Sequence, residues 1–133
     1  ALPVEAAAVA AGLGVLAASA APHLGIDRLL GGDGLGDRVA HLLAGIVGAD
    51  AANNLPALLV GMPYLDDSSI WPFLAGVNLG PVLWVTGSLA GLLWLDIVRR
   101  EDIAVTYADY AQVGVRVGVP AIVAAAPWLV FVG

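Results

Sequence analysis

The sequence contains no cysteine, few charged residues and few aromatic residues. Without cysteine, the chain can form neither disulfides nor thiolate metal sites. Only five of its 133 residues are Lys or Arg, so it has no basic face with which to bind nucleic acid. Charged residues amount to 12% of the chain. Soluble proteins carry about 25%, because a surface that faces water must be covered with charge.

The sequence is instead rich in apolar residues. They make up 60% of the chain, and the mean hydropathy is +0.92. A compact soluble fold of this size cannot hide so much apolar surface from water. We therefore predict an all-α integral membrane protein that crosses the cell membrane several times. The chain opens at Ala1 without a basic segment, so we expect it to begin inside a longer protein rather than with a signal peptide.

No arrangement in the sequence is typical of an enzyme site. It contains no nucleophile–base–orienter set, phosphate-binding loop or dinucleotide fingerprint. His23 and His41 differ in context and suggest no metal site, and we expect His41 to pack against neighbouring protein. We predict neither enzymatic activity nor a cofactor. Tyr107, Tyr110 and Trp128 are expected among the aromatic residues of the membrane interface.

Four apolar stretches divide the chain, and the middle two are interrupted by polar or helix-breaking residues. An uninterrupted span needs roughly 20 apolar residues to cross about 30 Å of hydrocarbon. The predicted segments are a transmembrane helix and connector (1–35), a re-entrant helical hairpin (36–66), a broken transmembrane helix (67–100), and an interfacial connector with the last transmembrane helix (101–133).

The hairpin is predicted from two apolar arms that are each too short to span. Val39–Gly48 and Leu55–Leu65 flank the polar residues 49–54. Each arm covers about 15 Å, half of a membrane. The alternative is one continuous span from Val39 to Met62, which would place several polar residues at its costly centre.

The broken helix is predicted within the long apolar stretch Ile70–Val98. Pro81 lacks a backbone donor, and Gly80 allows the chain to leave the helical region. We expect two half-helices, Ile70–Asn78 and Ser88–Val98, joined by unwound chain. A Pro-kinked continuous helix is the alternative.

The two interruptions contain the candidate binding residues. Transporters place solutes and ions near the membrane midplane between discontinuous helices. The hairpin tip and the broken helix supply neutral hydrogen-bonding groups there, suited to a polyhydroxy or oxyanion solute. These groups belong to Asn53, Asn54, Asn78, Thr86 and Ser88.

Asp50 is the acidic residue within the apolar hairpin. A carboxyl group inside a membrane is costly to charge and therefore indicates function, here the exchange of protons during transport. The alternative is structural, because Asp50 stands where the second arm needs an N-cap. One residue can serve both purposes.

Three motifs resemble a known family. Residues 53–56 read NNLP, residues 78–81 read NLGP and residues 86–94 read TGSLAGLLW. With these motifs the chain, from about Gly36 to its end, resembles the C-terminal part of the arsenite/antimonite efflux permeases. These permeases are similar to citrate, dicarboxylate and sodium/proton carriers within the ion transporter superfamily.

The resemblance implies a fold of two inverted repeats. This chain would hold the hairpin and broken helix of the second repeat, and the first repeat would lie in a missing N-terminal half. It also implies a possible homodimer in the lipid bilayer and a small inorganic or anionic solute. The residues it places at the solute or ion are Asn53 and Asn54 at the tip, and Asn78, Gly80, Thr86, Gly87 and Ser88 in the unwound segment.

Two departures bear on the solute. Sodium-coupled dicarboxylate carriers have Ser-Asn-Thr at the tip, where this chain has Ala52-Asn53-Asn54, and this favours the arsenite-like or proton-linked branch. Arsenite permeases usually have a Thr-Pro pair before the Gly-Ser of the broken helix, where this chain has Trp84-Val85-Thr86. We expect export of arsenite, antimonite or a related inorganic solute, linked to protons. The alternatives are a proton- or sodium-coupled carrier of other anions and, from another class, a structural membrane subunit without transport.

Overall fold

The computed structural model describes residues 4–131, and within that range every regular element is a helix. The expectation of an all-α chain is confirmed for these residues. The ends of the first and last predicted segments, residues 1–3 and 132–133, lie outside the described range. The helices are α1 (Val4–Ala20), α2 (Ile26–Leu29), α3 (Leu35–Ala52), α4 (Asn54–Gly61), α5 (Ile70–Leu83), α6 (Leu89–Arg100) and α7 (Tyr107–Phe131), with single 3-10 turns at Ala21–His23, Met62–Tyr64 and Val85–Gly87.

Large apolar side chains cover much of the outer surface of the helices. Leu16 on α1, Val47 on α3 and Val123 on α7 each leave about two thirds of their area exposed, at 69%, 65% and 65%. Within the described range, one helix is long and apolar enough to cross a membrane by itself, over Tyr107–Leu129. Only 17% of its apolar window is buried. An apolar exterior of this kind suits contact with lipid.

The chain reverses direction at Asn53. α3 extends as far as Ala52 and α4 begins at Asn54, so a single residue separates them. Gly48 and Ala57 lie opposite each other across this turn, because a Cβ on Gly48 would stand 3.4 Å from that of Ala57. The alternative of one continuous helix from Val39 to Met62 is therefore wrong.

α3 and α5 run side by side in the same direction, with their backbones in contact. Gly45 on α3 faces the backbone of Phe73 and Val77, and Gly76 on α5 faces that of Leu42. A Cβ on Gly76 would collide with the Leu42 carbonyl oxygen. Small residues at such positions are typical of helix packing in membranes.

α7 also packs closely on α5, again at glycine residues. A Cβ on Gly114 would collide with the Val82 carbonyl, and one on Gly118 would stand 2.8 Å from the side chain of Leu83. These contacts fall on the last turn of α5. The C-terminal end of α5 is thus held by α7, while its preceding turns are held by α3.

The broken helix has its break later than the sequence predicted. α5 continues through Pro81 to Leu83, and Trp84 then adopts an extended conformation with φ −132° and ψ 128°. The α-helix is interrupted over residues 84–88, where a single 3-10 turn lies between extended Trp84 and Ser88, and not over residues 79–87. Gly80 stays helical and lies where α5 packs closely on α3. A Cβ at this position would stand 2.9 Å from the Ile46 carbonyl oxygen.

Residues 62–69 connect α4 to α5 through a hydrogen-bonded turn at Asp66. Its Oδ1 accepts from the hydroxyls of Ser68 and Ser69, both at 2.8 Å, and from their backbone N–H groups at 3.0 and 2.9 Å. The side-chain bond from Ser69 is the largest of the effects that lower the pKa of Asp66 to about 2. The turn sets the position from which α5 starts beside α3.

We expect replacement of Gly76 by alanine to destabilise the fold. The new methyl group must push α3 away from α5, and overpacking of this kind costs about 1–3 kcal/mol. This exceeds the gain of up to ~1 kcal/mol that alanine brings to a helix. Gly36→Ala is the matched control, because a Cβ there meets open space. The thermal midpoints of both variants in detergent measure the effect, and equal midpoints would contradict the close packing.

The Asp66 turn predicts a pH dependence. The pKa of Asp66 in the folded state lies below the ordinary value near 4. Its hydrogen bonds therefore stabilise the fold fully above about pH 4, and this contribution is lost as the pH falls towards 2. The difference in Tm between wild type and Asp66→Asn should shrink across that window. Asp67→Asn, at an exposed neighbour, is the control for the loss of one carboxylate from the connector, and a constant difference for Asp66→Asn would be evidence against the turn.

Candidate functional site

The two helix interruptions lie beside each other. Because α3 and α5 are parallel and packed along their length, the turn at Asn53 and the break at residues 84–88 come to the same level. The contact between them is made by Asp50 and Gly87: a Cβ on Gly87 would collide with Asp50 Oδ1 and would stand 3.0 Å from Pro81 Cα. This meeting of two broken elements is the candidate site.

Asn53 has an unusual backbone conformation at the turn. Its φ of 79° and ψ of 152° lie in a region that residues other than glycine rarely occupy. Such a conformation costs on the order of 1–3 kcal/mol and is concentrated at functional sites. The backbone is held on both sides: Asn53 N–H donates to the Ala49 carbonyl at 2.8 Å, and its own carbonyl accepts from Ala57 N–H at 3.1 Å.

The N-terminus of α4 is not capped by the side chain of Asn53. Asn54 Oδ1 accepts from Leu55 N–H at 2.9 Å, and Pro56 has no N–H to offer. Since the Asn53 amide is not used as a cap, it remains a donor and acceptor at the turn. This is the position that the sequence predicted for a binding group.

Asp50 does not cap α4. It lies in the last turn of α3, which continues to Ala52, so the capping interpretation is wrong. Its Oδ1 is buried against the break and has no hydrogen-bond partner among the residues described. A buried polar atom without a partner is uncommon in folded proteins and calls for an explanation.

On the other side of the site, the last residue of the break caps the N-terminus of α6. Ser88 is its N-cap, with Oγ accepting from Gly91 N–H at 3.0 Å. Thr86 is exposed and Gly87 is buried. Gly87 is needed because a side chain here would collide with Asp50. Its backbone conformation is one that other residues also adopt.

Two predicted binding residues lie outside the break. Asn78 and Gly80 are within α5, and Asn78 Nδ2 donates to the Leu74 carbonyl of its own helix at 2.7 Å. Asn78 is two turns before Trp84, and Gly80 is packed on α3. The structure therefore joins the two interruptions through Asp50 and Gly87, with Asn53 and Asn54 at the turn and Thr86 and Ser88 in the break, while Asn78 and Gly80 lie within α5 before the break.

The site combines helix ends of both polarities. The last turns of α3 and α5 bring carbonyl groups, and the first turns of α4 and α6 bring the positive ends of their dipoles. Free N–H groups come mainly from α6, because in α4 the N–H groups of Leu55 and Ala57 are already hydrogen-bonded and Pro56 has none. Such a setting can bind a solute that both donates and accepts hydrogen bonds. In the described part of the chain, no group of three or more His, Asp or Glu residues could hold a metal ion.

Sequence reasoning missed Tyr110, which was expected at the membrane interface. Its hydroxyl donates to the Pro81 carbonyl at 2.9 Å, a contact that the sequence did not predict. No local signal could have found this pair, because 29 residues separate its members. His41 is fully buried, as expected for a packed residue.

About half of the chain is similar to proteins named "arsenical pump membrane protein". Over 77 residues it is 31% identical to one from Escherichia coli, 31% to one from Yersinia enterocolitica and 30% to one from Shigella flexneri. Each match covers 51% of this chain and 18% of the relative. No family model and no solved structure matches the chain. The resemblance predicted from the three motifs is thereby confirmed.

Proposed function

We propose that the chain is the C-terminal part of a membrane-embedded secondary transporter that exports arsenite, antimonite or a related inorganic solute. In this proposal α3 and α4 form a re-entrant hairpin, and α5 and α6 form a broken helix of the second inverted repeat. The remainder of the transporter supplies the opposing half of the site. The apolar exterior of the helices and the similarity to arsenical pump membrane proteins support this proposal.

The observation that carries the proposal is the contact between the buried Oδ1 of Asp50 and Gly87 in the break. A structural membrane subunit has no need for two interrupted helices that meet around polar groups. Irregular backbone at membrane depth is tolerated where it lies within protein or lines a water-filled cavity. A solute pathway provides such a setting.

The chemistry of the site suits an uncharged trihydroxide. Arsenite at neutral pH is mostly As(OH)₃, whose hydroxyls can donate to carbonyls and accept from amides. The Asn53 amide and the Thr86 hydroxyl offer both functions without a fixed positive charge. We propose that Asp50 couples this exchange to protons, since a carboxyl group without a hydrogen-bond partner can accept a proton when the site opens to water.

Asp50→Asn in the full-length protein should abolish proton-driven transport. The amide keeps the size of the side chain but cannot titrate, so the protein should remain in the membrane. Uptake of arsenite by everted vesicles should fall to the level seen in vesicles without a proton gradient. Asp67→Asn changes an exposed acid in the α4–α5 connector and should leave uptake unchanged. Unchanged proton-driven uptake in Asp50→Asn would remove Asp50 from the coupling mechanism.

Arsenite accumulation in living cells tests the proposed solute. Cells that lack their own arsenite exporter should accumulate less arsenite when they express the full-length protein, because export lowers the internal concentration. Asn53→Ala should restore accumulation, while Asn78→Ala should not, since Asn78 lies outside the break. Unaltered accumulation with the wild-type protein present in the membrane would favour a carrier of other anions.

A further inference from the structure

The last turn of α5 ends with carbonyl groups that no longer have helical partners. Trp84 N–H still donates to the Gly80 carbonyl at 3.3 Å. The next carbonyl, that of Pro81, would normally accept from residue 85, but the chain leaves the helix at Trp84. A carbonyl left unpaired in an apolar setting costs free energy comparable to a lost hydrogen bond.

We propose that Tyr110 is a positioning residue that sets the geometry of the break by supplying this missing hydrogen bond. Its hydroxyl donates to the Pro81 carbonyl at 2.9 Å. The same Pro81 lies against Gly87, which in turn faces Asp50. Tyr110 therefore acts on the candidate site through the backbone of α5, without touching the site itself.

The orientation of Tyr110 is set by contacts on two sides. Its ring packs on Trp94 of α6, with centroids 5.8 Å apart and planes inclined by 57°. One turn later on α7, Gly114 allows the backbones of α7 and α5 to touch. Tyr110 thus links the half-helix before the break to the half-helix after it.

The α6–α7 connector reinforces this link. Arg99 Nε donates to the Val105 carbonyl at 3.1 Å, and the guanidinium lies 5.0 Å from the centre of the Tyr107 ring. Thr106 caps α7, because its Oγ1 accepts from Asp109 N–H at 3.1 Å, while its own N–H and hydroxyl donate to Asp109 Oδ2 at 2.9 and 2.7 Å. The start of α7, and with it Tyr110, is therefore fixed relative to α6.

Tyr110→Phe tests the inference, since it keeps the ring on Trp94 and removes only the hydroxyl. Tyr107→Phe is the matched control on the same helix, where the described ring contact is with Arg99 rather than with α5. A single cysteine placed by Thr86→Cys reports on the break, because the chain itself contains no cysteine. Cysteines elsewhere in the full-length protein are first replaced.

The rate at which a water-soluble maleimide labels this cysteine, per amount of protein, should rise roughly five-fold in Tyr110→Phe, the factor expected for loss of one hydrogen bond. It should not change in Tyr107→Phe. With Thr86 intact, the apparent KM for arsenite should rise by about the same factor in Tyr110→Phe, at an unchanged maximal rate. A merely structural role would lower the amount of active protein and leave KM unchanged.

The inference rests on the proposed function only in placing the solute at the break, and the two can fail separately. Faster labelling in Tyr110→Phe without arsenite transport by wild type would sustain the positioning role and refute the proposed solute. Unchanged labelling in Tyr110→Phe would overturn the inference whatever the transport result. So would an unchanged KM in a transporting protein, or loss of Tyr110→Phe from the membrane while Tyr107→Phe is retained.

Discussion

The fold depends on backbone contact along both sides of α5. Gly45 and Gly76 bring α3 to one side, and Gly114 brings α7 to the other. Because the α3–α5 contact is too close for any side chain between them, the two helices cannot slide past each other without collision. This fixes the register in which the turn at Asn53 meets the break at residues 84–88. The candidate site is a consequence of that register.

The site holds groups that are costly to keep in an apolar protein. Asn53 adopts a backbone conformation that favours glycine, and Asp50 Oδ1 is buried without a hydrogen-bond partner among the described residues. Neither feature is needed to reverse the chain or to end a helix. Glycine in place of Asn53, for example, would make the same turn without the backbone strain. Their position at the contact between the two broken elements is the reason to associate them with function. Tyr110 compensates one cost by pairing the freed Pro81 carbonyl.

The sequence predicted that both middle stretches are interrupted, and it located the turn at Asn53 more closely than the break. The polar residues at 49–54 indicated the turn. Asp50 nevertheless belongs to α3, because an acidic residue in the last turn does not end a helix. The break was assigned too early because Gly80 and Pro81 both suggest unwinding. In the structure Gly80 is a packing residue, and Pro81 removes only one donor from an otherwise continuous helix. Asn78 was assigned to the site for the same reason.

Composition and local pattern, by themselves, determined the helical class, the apolar exterior, the presence of two interruptions and the resemblance to arsenical pumps. These follow from properties that each segment carries alone, such as hydropathy, polar residues within an apolar run, and short motifs. Only the tertiary structure decided which glycines permit close packing, that Asp50 faces Gly87, and that Tyr110 binds the Pro81 carbonyl. Each of these pairs joins residues about 30 or more positions apart in the chain, and such contacts arise from helix packing, on which local pattern carries no information.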